Sequence, residues 1–205
     1  MKPCHLVVMA KAPVPGFAKT RLVPALGDEG AARLAARLLD HALQQARASR
    51  LGPVTLACAP DTTHPAFAAQ AQQGGVLLVP QGEGDLGARM RSQFSHEFDR
   101  GAGCVVLIGT DAPGLTAATL RRAARALASL DAVFVPAADG GYALIGLRRD
   151  MPALFDSMPW STGAVMALTR DRLRHAAARH AELPEVHDID EPADLVHLPA
   201  GWPSS

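Results

Sequence analysis

The chain has few aromatic residues, few cysteines and no excess of either charge. Of its 205 residues only 4% are aromatic, and 20 Lys or Arg balance 20 Asp or Glu to a formal net charge of zero. Because nucleic acids bind many spread cations, this balance argues against a nucleic-acid partner and favours a small anionic ligand. The three cysteines, without metal-binding spacing, indicate buried, reduced thiols. They are Cys4, Cys58 and Cys104.

Long apolar runs are also missing. No run approaches the roughly 20 residues that span a bilayer, and residues 1–13 are too short and too soon interrupted for a secretory signal. We therefore expect a soluble protein in the reducing cytoplasm. The length favours a single domain over residues 1–197, followed by a loosely held tail at 198–205.

Short apolar runs alternate with longer segments rich in Ala, Leu and Arg, which predicts an α/β fold with a mostly parallel sheet. The runs have the length and composition of strands covered on both faces. They are residues 5–10, 54–59, 76–80, 104–109 and 132–137. Apolar residues at helical spacing predict helices at 28–48, 116–129 and 162–178. Asp139-Gly140-Gly141 lies between two strand-like runs and predicts a hairpin, so the sheet should be mixed.

The segment MAKAPVPGFAKTRL, residues 9–22, places cations directly after the first predicted strand. Residues 1–27 hold four Lys or Arg and no acid. Prolines pre-set this loop, and Gly16 would let the backbone approach a ligand. Its three cations suit the phosphates of a nucleotide, or they are solvated and pair with the helix at 28–48. They are Lys11, Lys19 and Arg21.

The segment GEGDLG, residues 82–87, matches the G-x-G-x-x-G pattern of dinucleotide-binding loops. Glu83 and Asp85 would, however, repel a pyrophosphate at a helix amino terminus that has to hold an anion. We therefore favour a glycine loop in which Asp85 caps a helix with buried apolar residues. Those residues are Leu86, Met90, Phe94 and Phe98. The alternatives are a substrate-contacting loop using Asp85 or Arg89, and an NAD site.

Acidic residues follow the fourth predicted strand and dominate the carboxyl-terminal region. Asp111 in LIGTDAPGL could bind a hard cation such as Mg²⁺, or cap the turn before a helix near Thr116. Residues 182–194 contain six acids and no Lys or Arg, so a metal site is conceivable there too. Asp190 before Glu191-Pro192 is also a helix start signal.

Six segments in order along the chain carry a family resemblance. They are KAPVPGFAKTRL, GDLGARM, IGTDAPGL, PAADGGYALIGL, WST and DIDEPADL. Over about residues 3–197 the chain resembles the bacterial glycosyltransferase-A-like transferases of unknown substrate, in the nucleotide-diphospho-sugar transferase superfamily. Molybdenum cofactor and phospholactate guanylyltransferases are members of the same superfamily. The resemblance implies a three-layer, Rossmann-like α/β fold with a mixed, mostly parallel sheet.

The resemblance implies a metal-dependent transferase that uses an NTP or a sugar nucleotide as donor and an unknown acceptor. The cationic loop resembles the triphosphate loop of nucleotidyltransferases. The D-x-D pair of many glycosyltransferases is reduced to Thr110-Asp111-Ala112, so the expectation leans to nucleotidyl transfer. Glycosyl transfer from an NDP-sugar is the alternative. A non-catalytic nucleotide sensor and an NAD-dependent oxidoreductase are further alternatives.

The resemblance also implies residue roles. Mg²⁺ or Mn²⁺ is expected on Asp111 and Asp190, with Asp188 or Asp139 as alternatives to Asp190. The expected catalytic residues are Lys19, Asp111 and Asp139. The expected nucleotide-binding residues are Lys11, Gly16, Lys19, Arg21 and Asp85. The acceptor is expected over Gly140, Gly141, Tyr142, Trp160, Ser161 and Thr162, for which a hairpin turn and a helix cap are the structural alternative.

Overall fold

A seven-stranded sheet is the centre of the structure, a computed structural model that describes residues 2–202. Its strands are β1 (Cys4–Lys11), β2 (Val54–Ala59), β3 (Val76–Pro80), β4 (Cys104–Ile108), β5 (Ala132–Pro136), β6 (Tyr142–Leu147) and β7 (His180–Glu182). The strand order is β3-β2-β1-β4-β6-β5-β7. Every neighbouring pair is parallel except those of β6, which is antiparallel to β4 and β5. The predicted mixed, mostly parallel sheet and the hairpin at Asp139 are confirmed.

Five α-helices connect the strands within residues 2–202. They are α1 (Val23–Ser49), α2 (Pro65–Gln72), α3 (Leu86–Asp99), α4 (Ala117–Ala126) and α5 (Val165–His175). Helix α1 begins five residues before the predicted start at residue 28, but its backbone leaves helical geometry at Gly27, with φ 68° and ψ 168°. The predicted start therefore coincides with the end of this kink. No helix in residues 2–202 has the length and apolar composition needed to cross a membrane.

Helices cover both faces of the sheet because side chains alternate along each strand. Leu6 and Val8 of β1 lie in a core with residues of α1, α2 and α4. Val7 and Met9, from the same strand, lie in a second core with residues of α3 and α5. The result is the three-layer arrangement that the family resemblance implies. The layers hold the carboxyl ends of the parallel strands on one edge, where ligands bind in such sheets.

The three cysteines are free thiols, as expected, but only Cys4 and Cys58 are buried, because Cys104 begins β4 and is partly exposed. Cys58 is buried, and burial raises its pKa to about 12, so this thiol stays protonated at neutral pH. Cys4 and Cys104 are directly opposite each other in the ladder between β1 and β4. A hydrogen bond to Cys104, together with burial, raises the pKa of Cys4.

Residues 198–202 of the predicted tail contact helix α1. Leu198 and Trp202 pack against a small core around Leu34 and Leu38. The Arg37 guanidinium carbon lies 4.6 Å from the centre of the Trp202 ring. Met1 and residues 203–205, the rest of that predicted tail, lie outside the described residues.

A buried carboxyl group, that of Glu97, lies at the amino ends of β1 and β2, opposite the ligand edge of the sheet. Glu97 on α3 is fully buried and accepts hydrogen bonds from Thr55 at 2.6 Å and from Arg100 at 3.0 Å. Its second carboxylate oxygen lies 2.7 Å from Nδ1 of His5. These contacts join β1, β2 and α3 through one carboxylate.

We expect Glu97→Ala to lower the free energy of unfolding by about 3 kcal/mol, because removing one partner leaves buried polar groups without their counter-charge. Urea denaturation followed by circular dichroism measures this loss. Glu185→Ala is the matched control, since Glu185 is exposed and should change stability by less than about 0.5 kcal/mol. Equal stabilities of the two variants would contradict the prediction.

Candidate active site

A cavity of about 600 Å³ opens at the carboxyl ends of β1 and β4. Loops from the beginning, middle and end of the chain line it together. Twelve of the predicted site residues are among its lining residues. They are Lys11, Lys19, Arg21, Asp85, Asp111, Asp139, Gly141, Tyr142, Trp160, Ser161, Thr162 and Asp190. Gly16 and Gly140 do not line it.

Lys19 is the centre of the site. Its Nζ atom contacts Oδ1 of Asp111, lies 3.6 Å from Oδ1 of Asp190, and donates a hydrogen bond of 2.6 Å to the carbonyl of Ile189. The Lys19 side chain is only 7% exposed, whereas that of Asp111 is 51% exposed. The Lys19 ammonium group is therefore buried and fixed by these contacts, whereas the carboxylates that it contacts are partly exposed to the cavity.

Arg21 completes a chain of charges. Its Nη1 donates a 2.8 Å hydrogen bond to Oδ2 of Asp190, and it lies 3.8 Å from a carboxylate oxygen of Glu191. The two oxygens of Asp190 thus face two different cations. The alternative that these cations pair with the helix at 28–48 does not describe Lys19 or Arg21, which pair with acids from the middle and the end of the chain. Lys11 is exposed and makes no ion pair within residues 2–202.

Ile189 fixes the relative positions of these groups, and no sequence pattern indicated it. Its backbone N–H donates to the carbonyl of Asp111 at 2.8 Å, and its own carbonyl accepts from Lys19. The Ile189 side chain is fully buried with Leu22 and Leu38. Three distant parts of the chain are therefore joined at one residue.

Helix capping after Asp190 uses other acids. Glu191 and Asp194 form a capping box at the start of the 3-10 helix Pro192–His197. The Asp194 carboxylate also accepts the backbone N–H of Asp190, at 3.0 Å. The carboxylate of Asp190 is consequently left for Lys19 and Arg21, and the helix start signal does not compete with a role in the cavity.

Asp188 and Asp139 add further negative charge. Desolvation and the nearby Asp139, followed by Asp194 and Asp190, raise the pKa of Asp188. The Asp139 carboxylate accepts the N–H of Gly141 at 2.8 Å, which is the hairpin turn that the structural alternative describes. Asp139 is nevertheless exposed and lines the cavity. Asp139 therefore forms the predicted hairpin turn and also lines the cavity, while its catalytic or metal-binding role stays a prediction.

The predicted acceptor wall is built on Tyr142 and Trp160. Their rings meet edge to face with centres 6.5 Å apart, and burial raises the pKa of the Tyr142 hydroxyl. The Thr162 hydroxyl donates to the carbonyl of Pro159 at 2.8 Å, so it holds the loop before α5. Ser161 is exposed at a positive φ of 62°.

Gly140 stabilises this wall from outside the cavity. Its φ is 87°, and a Cβ atom there would collide with the backbone of Gly163. The Gly140 carbonyl accepts the N–H of Met166 at 2.9 Å, which ties the hairpin to α5. Gly16 likewise allows a turn with positive φ, here 72°, in the cationic loop.

The loop GEGDLG is a helix start, as the favoured prediction has it. Asp85 is the amino-terminal cap of α3, and its carboxylate accepts the N–H of Ala88 at 2.8 Å. Met90 and Phe94 are buried as predicted, and Phe98 is partly buried. The prediction for Leu86 is wrong, because it is 44% exposed and lines the cavity at the first turn of the helix, ahead of the buried face.

Gln81 is a lining residue that sequence reasoning missed. It is buried, and its side-chain amide donates to the carbonyls of Ala10 at 3.0 Å and Ala57 at 3.1 Å. The amide thereby bridges the carboxyl ends of β1 and β2. Its position directly after β3 was a usable signal, because residues that follow parallel strands face the ligand edge.

The donor set agrees with a divalent cation. Carboxylate and carbonyl oxygens are the ligands that Mg²⁺ takes in proteins, and the Lys19 ammonium already stands between two such carboxylates as a cation. No group of three or more His, Cys, Asp or Glu in the described part of the chain is arranged to hold a metal. Asp111 and Asp190 would therefore need further oxygens, which the phosphates of a nucleotide can supply.

Solved structures share this fold. A Desulfovibrio desulfuricans G20 protein, provisionally named a nucleotide-diphospho-sugar transferase, is 31% identical over 94% of this chain and 84% of its own, with a TM-score of 0.85. CMP:2-keto-3-deoxy-manno-octonic acid synthetase, solved with CTP, is 13% identical over 95% of this chain and 96% of its own, at 0.59. Rv0371c from Mycobacterium tuberculosis H37Rv, solved with manganese, is 19% identical over 92% of both chains, at 0.56.

These likenesses confirm the predicted nucleotide-diphospho-sugar transferase type of fold, and they support an enzyme of the transferase class. The family is also established. Residues 42–162 match the family of uncharacterized proteins conserved in bacteria that is designated DUF2064, and the chain belongs to this family. A comparison with curated protein sequences found no match.

Proposed function

We propose that this chain is a metal-dependent transferase that uses a nucleoside triphosphate or a sugar nucleotide as donor. The observation that carries the proposal is the meeting of Lys19 with Asp111 and Asp190 in a cavity at the ligand edge of the sheet. Basic side chains from the beginning of the chain would then contact the donor phosphates, and acidic side chains from its middle and end would bind the metal ion beside those phosphates. Catalysis would consist mainly of positioning and charge stabilisation.

The chain's own cations would bind the donor. Lys19 and Lys11 present compact ammonium charges, and Arg21 presents a planar fork that suits a phosphate group. Arg21 is 61% exposed on its side chain and reaches the rim of the cavity. These groups would neutralise charge that builds up on the departing phosphates.

Asp111 and Asp190 would hold Mg²⁺ or Mn²⁺ against the donor. When bound, such an ion polarises phosphoryl oxygens and stabilises negative charge on the leaving group. The structure of Rv0371c, which shares the fold, was solved with manganese, and this supports a divalent ion as the cofactor. Asp139, whose carboxylate faces the cavity beside the Tyr142 and Trp160 wall, would orient the attacking group of the acceptor.

The two candidate reactions differ in the bond that breaks. In nucleotidyl transfer an acceptor oxygen attacks the α-phosphorus of an NTP, the bond to the β-phosphate breaks, and pyrophosphate leaves. In glycosyl transfer the acceptor attacks the sugar carbon of an NDP-sugar, and a nucleoside diphosphate leaves. The cationic loop and the single carboxylate of Thr110-Asp111-Ala112 favour the first. The name of the Desulfovibrio relative favours the second.

Thermal-shift screening of nucleoside triphosphates and sugar nucleotides, each with and without Mn²⁺, tests the proposal. A ligand that binds only the folded state raises the melting temperature, so a selective rise that needs both nucleotide and metal is expected. Product analysis with the selected donor then separates pyrophosphate from nucleoside diphosphate release. Nucleotide binding without a metal requirement or turnover would instead indicate a sensor, and a rise with NADH alone would indicate an oxidoreductase.

A further inference from the structure

Lys19 occupies an oxygen cage of the kind that a divalent ion takes. Its ammonium group is surrounded by Oδ1 of Asp111, by Oδ1 of Asp190 at 3.6 Å and by the carbonyl of Ile189 at 2.6 Å. Two carboxylates and one backbone carbonyl are typical ligands of Mg²⁺ or Mn²⁺. The lysine and the metal of the proposed reaction would therefore need the same place.

The fixed backbone conformation of Lys19 and the burial of its side chain keep the ammonium group near the two acids. Lys19 has φ 53° and ψ 41°, in the left-handed region that residues other than glycine seldom adopt. Its side chain is 7% exposed, so it is not one of the freely solvated lysines of a protein surface. The backbone of Lys19 is also anchored, because its carbonyl accepts the N–H of the buried Leu22 at 2.9 Å.

We infer that Lys19 is an internal counter-ion that competes with the divalent metal for Asp111 and Asp190, so that metal binds tightly only when donor phosphates draw the lysine away. The inference rests on the proposed function, because it assigns an order to the binding of metal and donor. A metal ion alone has to displace a +1 charge from its ligands. A polyphosphate offers that charge another anion.

Removal of the Lys19 charge is expected to change the affinities for donor and for metal in opposite directions. Removing a cation from a nucleotide site should weaken donor binding, yet here it should strengthen metal binding. Without Lys19, no Lys, Arg or His within residues 2–202 forms an ion pair with Asp111, and in the same range Asp190 keeps an ion pair only with the exposed Arg21. With Asp188 and Asp139 close by, the acids would then attract a divalent ion strongly.

Titration of the full chain with Mn²⁺ alone, followed by the electron paramagnetic resonance signal of free Mn²⁺, tests this inference. Lys19→Met should bind Mn²⁺ at least about tenfold more tightly than the unmodified protein. Lys11→Met removes the same charge from the same cavity but not from the cage, so it should change the affinity by less than about threefold. Lys19→Gln is a second variant with a shorter, polar side chain, and circular dichroism of each variant checks that it is folded.

The outcomes separate the inference from the proposed function. Tighter binding by Lys19→Met or Lys19→Gln that is lost again when Asp111→Asn is added supports the inference. Unchanged or weaker binding by both Lys19 variants overturns it, and if Asp111→Asn still abolishes binding, the proposed metal site stands. Mn²⁺ binding that is indifferent to Asp111→Asn and Asp190→Asn overturns both.

Discussion

Asp111→Asn is expected to reduce turnover at least about thousandfold with an established donor and acceptor, while the protein stays folded. The change removes a negative charge but keeps the size and shape of the side chain. Stabilisation of transferring phosphates by a bound metal amounts to several kcal/mol, and each 1.36 kcal/mol corresponds to a factor of ten in rate. Steady-state kinetics at saturating donor and metal measures the loss.

Stability should change little in this variant. Half of the Asp111 side chain is exposed, so its pair with Lys19 is screened by water and contributes about 1 kcal/mol at most. Asp156→Asn is the matched control, because Asp156 pairs with Arg91 on the surface and lies outside the 600 Å³ cavity. The control should keep full activity. If Asp111→Asn kept it as well, the role of Asp111 would be wrong.

Strands β1, β2 and β5 were predictable because most of their residues are buried on both faces, whereas β3 at the edge of the sheet is only partly buried and was predictable from its apolar run alone. The runs at 54–59 and 76–80 coincide with β2 and β3 to the residue. Helix α2 has eight residues and β7 has three, too few for a period to emerge from the sequence. The family resemblance supplied the rest of the fold.

The site was predictable where side chains carry the contacts, and not where the backbone carries them. Residues that follow parallel strands meet at one edge of the sheet, which brought Lys11 and Asp111 to one cavity. Ile189 contributes its backbone N–H and carbonyl. Every residue except proline has both groups, so the identity of residue 189 did not indicate this role. The contacts of Lys19 with both acids were equally hidden, because charge alone does not tell which anion a lysine contacts.

Lys19→Met is expected to abolish turnover, with a loss of at least about thousandfold, even though it should bind Mn²⁺ more tightly. The reason is that the ammonium group has to be available to the departing phosphates, and an oriented cation placed where negative charge develops is worth several kcal/mol in the transition state. Steady-state kinetics and nucleotide binding, measured on the same preparation as the Mn²⁺ titration, test this combination. Removing the lysine leaves Asp111 and Asp190 partly exposed to water, so the free energy of unfolding should fall by no more than about 1–2 kcal/mol.

Lys2→Met is the matched control for turnover, since Lys2 is exposed at the opposite end of β1 and beside Gly103. Lys19→Arg keeps the charge but changes the reach and shape of the group, so it should retain a measurable part of the activity that Lys19→Met loses. Full activity in Lys19→Met would mean that the phosphates are neutralised elsewhere in the cavity. Equal loss in Lys19→Met and Lys19→Arg would mean that reach and shape, rather than charge, set the role of this residue. Lys19 contacts both acids, so the proposed transfer of its charge from these acids to the donor phosphates explains how one side chain can oppose metal binding and still be required for turnover.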